Sequence, residues 1–186
     1  MTIAPVLKSV TVKASPERAF EIFAGQMGRW WPVGKTIGKS PHVAIVVEPS
    51  LGGRWFERDA EGVETNWGKV LAWEPPNRLL LGWQLDSRFA YDPNFLTEVE
   101  LTFAPASGGG AIVTLEHRNL ERFGDDAEKV AAQIGQGWPE LLAQFAGYAA
   151  TYLVISLRLG GAWKLFQWLP FAATAILVAG GVLAGQ

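Results

Sequence analysis

Six short segments between residues 43 and 118 alternate apolar and polar side chains or run continuously apolar, and each is cut off from the next by a turn signal. They are Val43–Val47, Gly53–Asp59, Val63–Trp73, Leu79–Leu85, Leu96–Ala104 and Ala111–Arg118. The separators include Leu51-Gly52-Gly53, Asp59-Ala60-Glu61-Gly62, Pro75-Pro76-Asn77, Asp92-Pro93-Asn94 and Ser107-Gly108-Gly109-Gly110. A two-residue period bounded by Gly, Pro, Asn and Asp marks strands, and connections this short join neighbours antiparallel. This part of the chain is therefore read as sheet.

Helical signals flank that block. Leu7–Ala14 alternates like a further strand, and Ser15-Pro16-Glu17 then reads as a helix start: a capping hydroxyl, a proline at the first helical position and an acid on the helix dipole. The helix carries Phe20, Ile22 and Phe23, is broken at Gly25 and Gly28, and gives way to a second short piece over Met27–Trp31 that stops at Pro32. With the first strand this makes seven, predicted to form a consecutive antiparallel meander. After Asp125-Asp126 no strand pattern returns. Gly135, Gly137 and Pro139 are read as interruptions, so a long helix is expected from about Trp138 to Leu159. An antiparallel sheet of this length has a face to cover, and that helix is the element long enough to cover it.

Composition removes several chemistries. The 186 residues include no cysteine, which excludes disulfides, thiolate metal sites, redox dithiols and a cysteine nucleophile. A net charge of −2 lacks the basic excess that tracks a phosphate backbone, so nucleic acid is not an expected partner. Charged residues make up 18% of the chain, below the roughly 25% of ordinary soluble domains, and mean hydropathy is +0.13. Apolar surface is therefore expected to meet a cavity, a partner or a membrane. The first residues have neither the basic start nor the apolar run of a signal peptide, so the domain is expected to be cytoplasmic.

Local motifs add further exclusions. Gly34-Lys35-Thr36 and Gly38-Lys39-Ser40 look like the end of a phosphate-binding loop, but the required earlier glycine is replaced by Arg29 in one and Val33 in the other. His42 and His117, the two histidines, have no metal-ligand spacing, and no Gly-x-Ser-x-Gly elbow occurs; neither a metal nor a cofactor is expected.

An ordered set of signatures does hold together. Ser15-Pro16-Glu17-Arg18-Ala19-Phe20, Arg29-Trp30-Trp31, Gly52-Gly53-Arg54-Trp55, Gly68-Lys69-Val70-Leu71 before Pro75-Pro76-Asn77-Arg78-Leu79, Thr97-Glu98-Val99, Thr114-Leu115-Glu116-His117 and Gln136-Gly137-Trp138 follow one another from about residue 8 to residue 150. In this the chain resembles the domain related to the activator of heat shock protein 90 ATPase, a branch of the START-like, SRPBCC or helix-grip superfamily. The resemblance implies an α+β helix-grip fold, a curved antiparallel sheet around a long C-terminal helix, enclosing an apolar cavity. It implies non-enzymatic binding of a hydrophobic small molecule such as a lipid, isoprenoid or polyketide. The alternatives are a polyketide cyclase or aromatase-like enzyme and a co-chaperone acting on a heat-shock ATPase.

Candidate ligand-binding residues follow. Of the nine tryptophans, Trp30, Trp31, Trp55, Trp67, Trp83 and Trp138 fall on elements that would line such an interior. Alternation does not decide which face in, because Trp67 and Trp73 share a parity with Lys69. His117 shares one strand face with Ala111, Val113 and Leu115 and is expected to point inward, as a core histidine, a ligand anchor or a cyclase base. Arg54, Glu57, Glu64, Asp86 and Arg88 are read as surface charge, with a place at a cavity mouth as the alternative. Tyr91 is read as loop surface.

The resemblance leaves the end of the chain unexplained. Residues 1–159 are assigned to the domain and 160–186 to an apolar tail. Leu165–Gln186 carries no charge and as a helix would span roughly 33 Å, near the thickness of a bilayer core. Arg158 and Lys164 before it, with Trp163 and Trp168 at interfacial positions, suit an anchor at the inner membrane face, whereas Pro170, Gly180 and Gly181 oppose insertion. Packing on the domain or on a second copy is the other reading, and the oligomeric state is left open.

Overall fold

Seven strands form one antiparallel sheet in the computed structural model, which describes residues 2–158. The elements are β1 (Val6–Val12), α1 (Pro16–Gly25), α2 (Met27–Trp30), β2 (His42–Val47), β3 (Arg54–Asp59), β4 (Glu64–Glu74), β5 (Arg78–Trp83), β6 (Thr97–Pro105), β7 (Ala111–Arg118), a 3-10 segment over Leu120–Asp126, and α3 (Ala127–Arg158). The helix-grip α+β architecture is thus present. Met1–Thr151 is one compact unit, and the sites described below lie within it.

The meander covers six strands rather than seven. Sheet order is β1-β7-β6-β5-β4-β3-β2, so β2 to β7 run consecutively while β1 sits at the opposite edge from β2, paired to β7 in the register Val6↔His117 to Val12↔Ala111. The β1–β2 connection is long and carries α1 and α2, and a connection of that kind crosses the sheet instead of turning back beside the strand it leaves. Ser15 Oγ accepts from the Arg18 N–H, and Phe20 of α1 sets its ring 5.2 Å from Phe103 of β6 and 5.1 Å from Trp73 of β4. Gly28 lets α2 rest directly on β2: a Cβ there would lie 2.5 Å from the Ile45 backbone nitrogen.

The long helix starts eleven residues earlier than expected, at Ala127, and Trp138 lies inside it rather than opening it. The buried positions Ala127, Val130, Ile134, Trp138, Leu141, Phe145 and Ala149 recur every three or four residues, a single stripe that outweighs the local reluctance of Gly135, Gly137 and Pro139. Pro139 is on the exposed side, where water can serve the Gly135 carbonyl that loses its helical donor.

Two bulges in β4 settle its facing. Pairing passes from Trp55↔Gly68 to Phe56↔Asn66 and from Val70↔Leu81 to Ala72↔Leu80, so Trp67 and Leu71 are extra residues. Each bulge reverses the parity of the strand. Trp67 and Trp73 consequently both turn inward, while Lys69 stays exposed. Among the described residues no helix is long and apolar enough to cross a membrane. Leu165–Gln186, read above as an anchor, lies outside the described residues.

Candidate functional site

Five tryptophans close into a ring on the concave side of the sheet. Ring centroids are 5.0 Å apart for Trp31 and Trp67, 5.4 Å for Trp67 and Trp55, 5.7 Å for Trp55 and Trp83, 6.1 Å for Trp83 and Trp138, and 6.2 Å for Trp138 and Trp31. All are tilted or edge-to-face, the arrangements aromatic quadrupoles favour. The members come from the end of α2, the bulge of β4, β3, β5 and the middle of α3, elements that only the complete fold brings together.

Four of the five, Trp31, Trp67, Trp83 and Trp138, wall a cavity of about 300 Å³. Trp55 completes the ring without lining the cavity and is fully buried. Ile37, Leu85, Ile134 and Leu141 fill in the apolar wall, and Lys35, Thr36 and Gln133 supply its polar groups. Trp30 lies outside the ring. Its indole N–H donates to the Ile22 and Phe23 carbonyls, 3.2 and 3.3 Å away, and its ring packs on Phe23 and Phe145.

The indole N–H groups hold the wall in place. Trp31 donates to the Lys35 carbonyl at 2.7 Å, Trp67 to Glu57 Oε1 at 3.0 Å and Trp138 to His117 Nδ1 at 3.3 Å. Trp55 Nε1 and Trp83 Nε1 are buried without a partner. Lys35 Nζ reaches Glu140 Oε2 at 2.8 Å, an exposed ion pair that ties the loop after α2 to α3 beside the cavity.

His117 points inward on β7 and is fully buried. It lies behind the cavity wall, its ring 5.4 Å from Trp83 and 6.3 Å from Trp138. Its Nε2 is 2.8 Å from Thr97 Oγ1, so both ring nitrogens are engaged. Burial pushes its pKa down to about 3, and the imidazole is neutral at physiological pH.

Two side chains of consequence, Glu57 and Phe89, lie where the sequence pattern does not place them. Glu57 is buried, not surface charge, because β3 turns Trp55, Glu57 and Asp59 toward the concave face and Arg54 and Arg58 toward solvent, where the two guanidinium groups lie over the Phe56 ring. Phe89 lines the cavity from the β5–β6 connection in a left-handed conformation, φ 59°. The Asp86 carboxylate stabilises that turn by accepting the N–H groups of Ala90 and Arg88, and these bonds, the Ala90 one foremost, hold its pKa below the usual carboxylate range. A polar side chain two residues before a turn is the signal that marks such a loop, though nothing in sequence marks the direction of Phe89. Tyr91 is exposed and lines no part of the cavity. Among the described residues no three His, Cys, Asp or Glu side chains come together as a metal-holding group.

A curled antiparallel sheet gripping a long helix, with a small-molecule-sized aromatic cavity between them, defines a START-like helix-grip domain. The family model described as "Activator of Hsp90 ATPase homolog 1-like protein" matches residues 13–150, and the chain belongs to that family. Among solved structures it is similar to an anthrahydroquino-gamma-pyrone synthase, Txn09, at 38% identity over 78% of this chain and 97% of that one, with a TM-score of 0.56. It is also similar to CalC, a self-sacrificing resistance protein from Micromonospora echinospora, at 31% identity over 78% and 93%, with a TM-score of 0.61. A protein from Mesorhizobium loti, 19% identical over 77% and 95% with a TM-score of 0.57, shares the fold. No curated protein matches the chain.

Proposed function

We propose that this domain binds a planar, hydrophobic, aromatic small molecule of the polyketide kind between Trp31, Trp67, Trp83 and Trp138 and does not transform it. The closed tryptophan ring carries this reading: four indoles facing about 300 Å³ of space offer flat aromatic surface to a flat ligand, at the lower end of the size of small-molecule pockets. The similarity to a protein described as an anthrahydroquino-gamma-pyrone synthase supports the ligand class.

That same similarity favours a second reading, cyclase- or synthase-type catalysis. It needs an acid or base at the ligand. His117, the side chain best suited by sequence, is neutral, doubly hydrogen-bonded and behind the wall, and the ionisable group that reaches the cavity, Lys35, is paired with Glu140.

Titration of the purified protein with a tricyclic quinone such as anthraquinone-2-sulfonate, followed by tryptophan fluorescence, tests the main reading. Saturable quenching is expected, with the probe recovered unchanged. No response from this probe or from a fatty acid overturns it, and conversion of a polyketide substrate favours the second reading. Attachment to a membrane through Leu165–Gln186 is a separate proposal supported by sequence alone; recovery of the full chain wholly in the soluble fraction of disrupted cells overturns it.

A further inference from the structure

The Glu57 carboxylate has one oxygen saturated and the other bare. Oε1 accepts three N–H groups, from Ile37 at 2.9 Å, Gly38 at 2.6 Å and the Trp67 indole at 3.0 Å. Oε2 has no partner, and the residue is only 2% exposed. A buried carboxylate oxygen left without a donor is expensive, and folds retain such a group where something else supplies the hydrogen bond.

Glu57 lines a second cavity of about 370 Å³, which shares no lining residue with the tryptophan-walled one, and its Oε1 holds the Ile37 and Gly38 N–H groups beside it. Gly38 forms part of its wall. A Cβ on Gly38 would lie 3.3 Å from both carboxylate oxygens, so any other residue there would crowd the carboxylate. Asp59 and Glu61 make the cavity acidic against the single cation Lys39, and Ser40 and Thr65 bring hydroxyl groups to it. Asp59 Oδ1 accepts the N–H groups of Glu61 and Val63, whereas Glu57 Oε2 is the buried carboxylate oxygen of this lining without a partner.

We propose that Glu57 anchors a second small-molecule site, which takes a primary ammonium group. An ammonium brings three donors and a positive charge to a carboxylate oxygen with hydroxyls nearby, and it is satisfied by a single buried carboxylate where a divalent metal ion needs several oxygen ligands. The site stands independently of the ligand proposed for the tryptophan cavity.

The reporters are built in, since the Ile37 and Gly38 amides and the Trp67 indole all donate to Glu57. In 1H–15N correlation spectra of the full chain, propylammonium is expected to shift these three resonances saturably while leaving the Trp138 indole in place, and 1-propanol, its uncharged counterpart in size, is expected to leave all of them unmoved. Glu57→Gln should weaken propylammonium binding about tenfold to a hundredfold, the worth of a hydrogen bond to a charged group. Should that variant fail to fold, Gly38→Ala serves, because its Cβ takes the space beside the carboxylate and is expected to weaken binding about tenfold. Lys39→Ala is expected to tighten binding by removing a like charge. Three outcomes overturn the proposal: no saturable shift in wild type, equal shifts with 1-propanol, or binding that emerges only in Lys39→Ala, which would make Lys39 the occupant.

Discussion

The indole N–H of Trp138 donates to His117 Nδ1 across 3.3 Å and thereby sets the tautomer of the imidazole. An indole nitrogen only donates, so Nδ1 must carry the lone pair and the ring proton must sit on Nε2, where it is given to Thr97 Oγ1 at 2.8 Å. Three elements, α3, β7 and β6, are tied through one neutral ring. Neither nitrogen is left over for a substrate, which is why this histidine is read as part of the frame behind the cavity.

This arrangement predicts a pH dependence with a definite sign. The folded-state pKa of about 3 lies below the roughly 6.5 of an unfolded histidine, so between these values the unfolded chain binds the proton and the folded one does not. The contribution to stability is complete above about pH 6.5 and is lost as pH falls toward 3, with a limiting slope of about 1.4 kcal/mol per pH unit. Urea denaturation of wild type and His117→Gln at several pH values isolates it from the carboxylates. Stability that falls equally in both over this window refutes the neutral buried ring, as does an NMR spectrum showing the proton on Nδ1.

A second prediction separates cavity wall from core. Trp31 and Trp30 are adjacent in sequence and both buried, but Trp31 lines the cavity and Trp30 packs on Phe23 and Phe145. Trp31→Leu should weaken anthraquinone-2-sulfonate binding about tenfold through loss of an aromatic contact. Trp30→Leu should leave the affinity alone and lower stability by about 2–4 kcal/mol. The pair is read by fluorescence titration and denaturation side by side, and an equal loss of affinity in both variants contradicts the assignment of the wall.

These two neighbours also mark what the sequence makes legible. Strand number, turn positions, the order of elements and the inward side of β7 follow from a two-residue period and from Gly, Pro and Asn signals, because those are local properties. Membership of the tryptophan ring is not local. Trp67 faces inward through a bulge fixed by pairing with β3, and Trp138 belongs to a helix whose continuity through Gly135, Gly137 and Pro139 depends on a buried stripe finding its partners. Glu57 is the sharpest case. Its burial depends on N–H donors from the Ile37–Gly38 loop, which no pattern along β3 announces.

A glycine with no room for a side chain gives a third prediction. At Gly68 on β4 a Cβ would lie 1.8 Å from the Gly82 carbonyl oxygen across the strand pair, a distance no side chain can accept. Gly68→Ala must therefore spread β4 from β5 next to Trp67 and Trp83, and loss of folded protein or a fall of several kcal/mol in stability is expected. Gly25→Ala, where a Cβ meets nothing within 4 Å, is the control and should be close to neutral. Circular dichroism melts of the two variants decide between a required close approach and a permissive one.

The fourth prediction concerns Phe89, whose backbone is left-handed at φ 59° while its half-buried ring lines the cavity. A residue with a Cβ pays about 1 kcal/mol or more for that conformation and glycine does not. Phe89→Gly should therefore be more stable than Phe89→Ala by about that amount, although it removes no less of the ring. If the turn exists to present the ring to a ligand, both variants should bind anthraquinone-2-sulfonate several-fold more weakly than wild type, and stability and affinity will move apart in the glycine variant. Asp86→Ala, which deletes the acceptor for the Ala90 and Arg88 N–H groups, should imitate the loss of affinity with the ring still present, because the turn that aims Phe89 is then no longer held. An affinity unchanged in all three variants would show that Phe89 covers the cavity without touching what it holds.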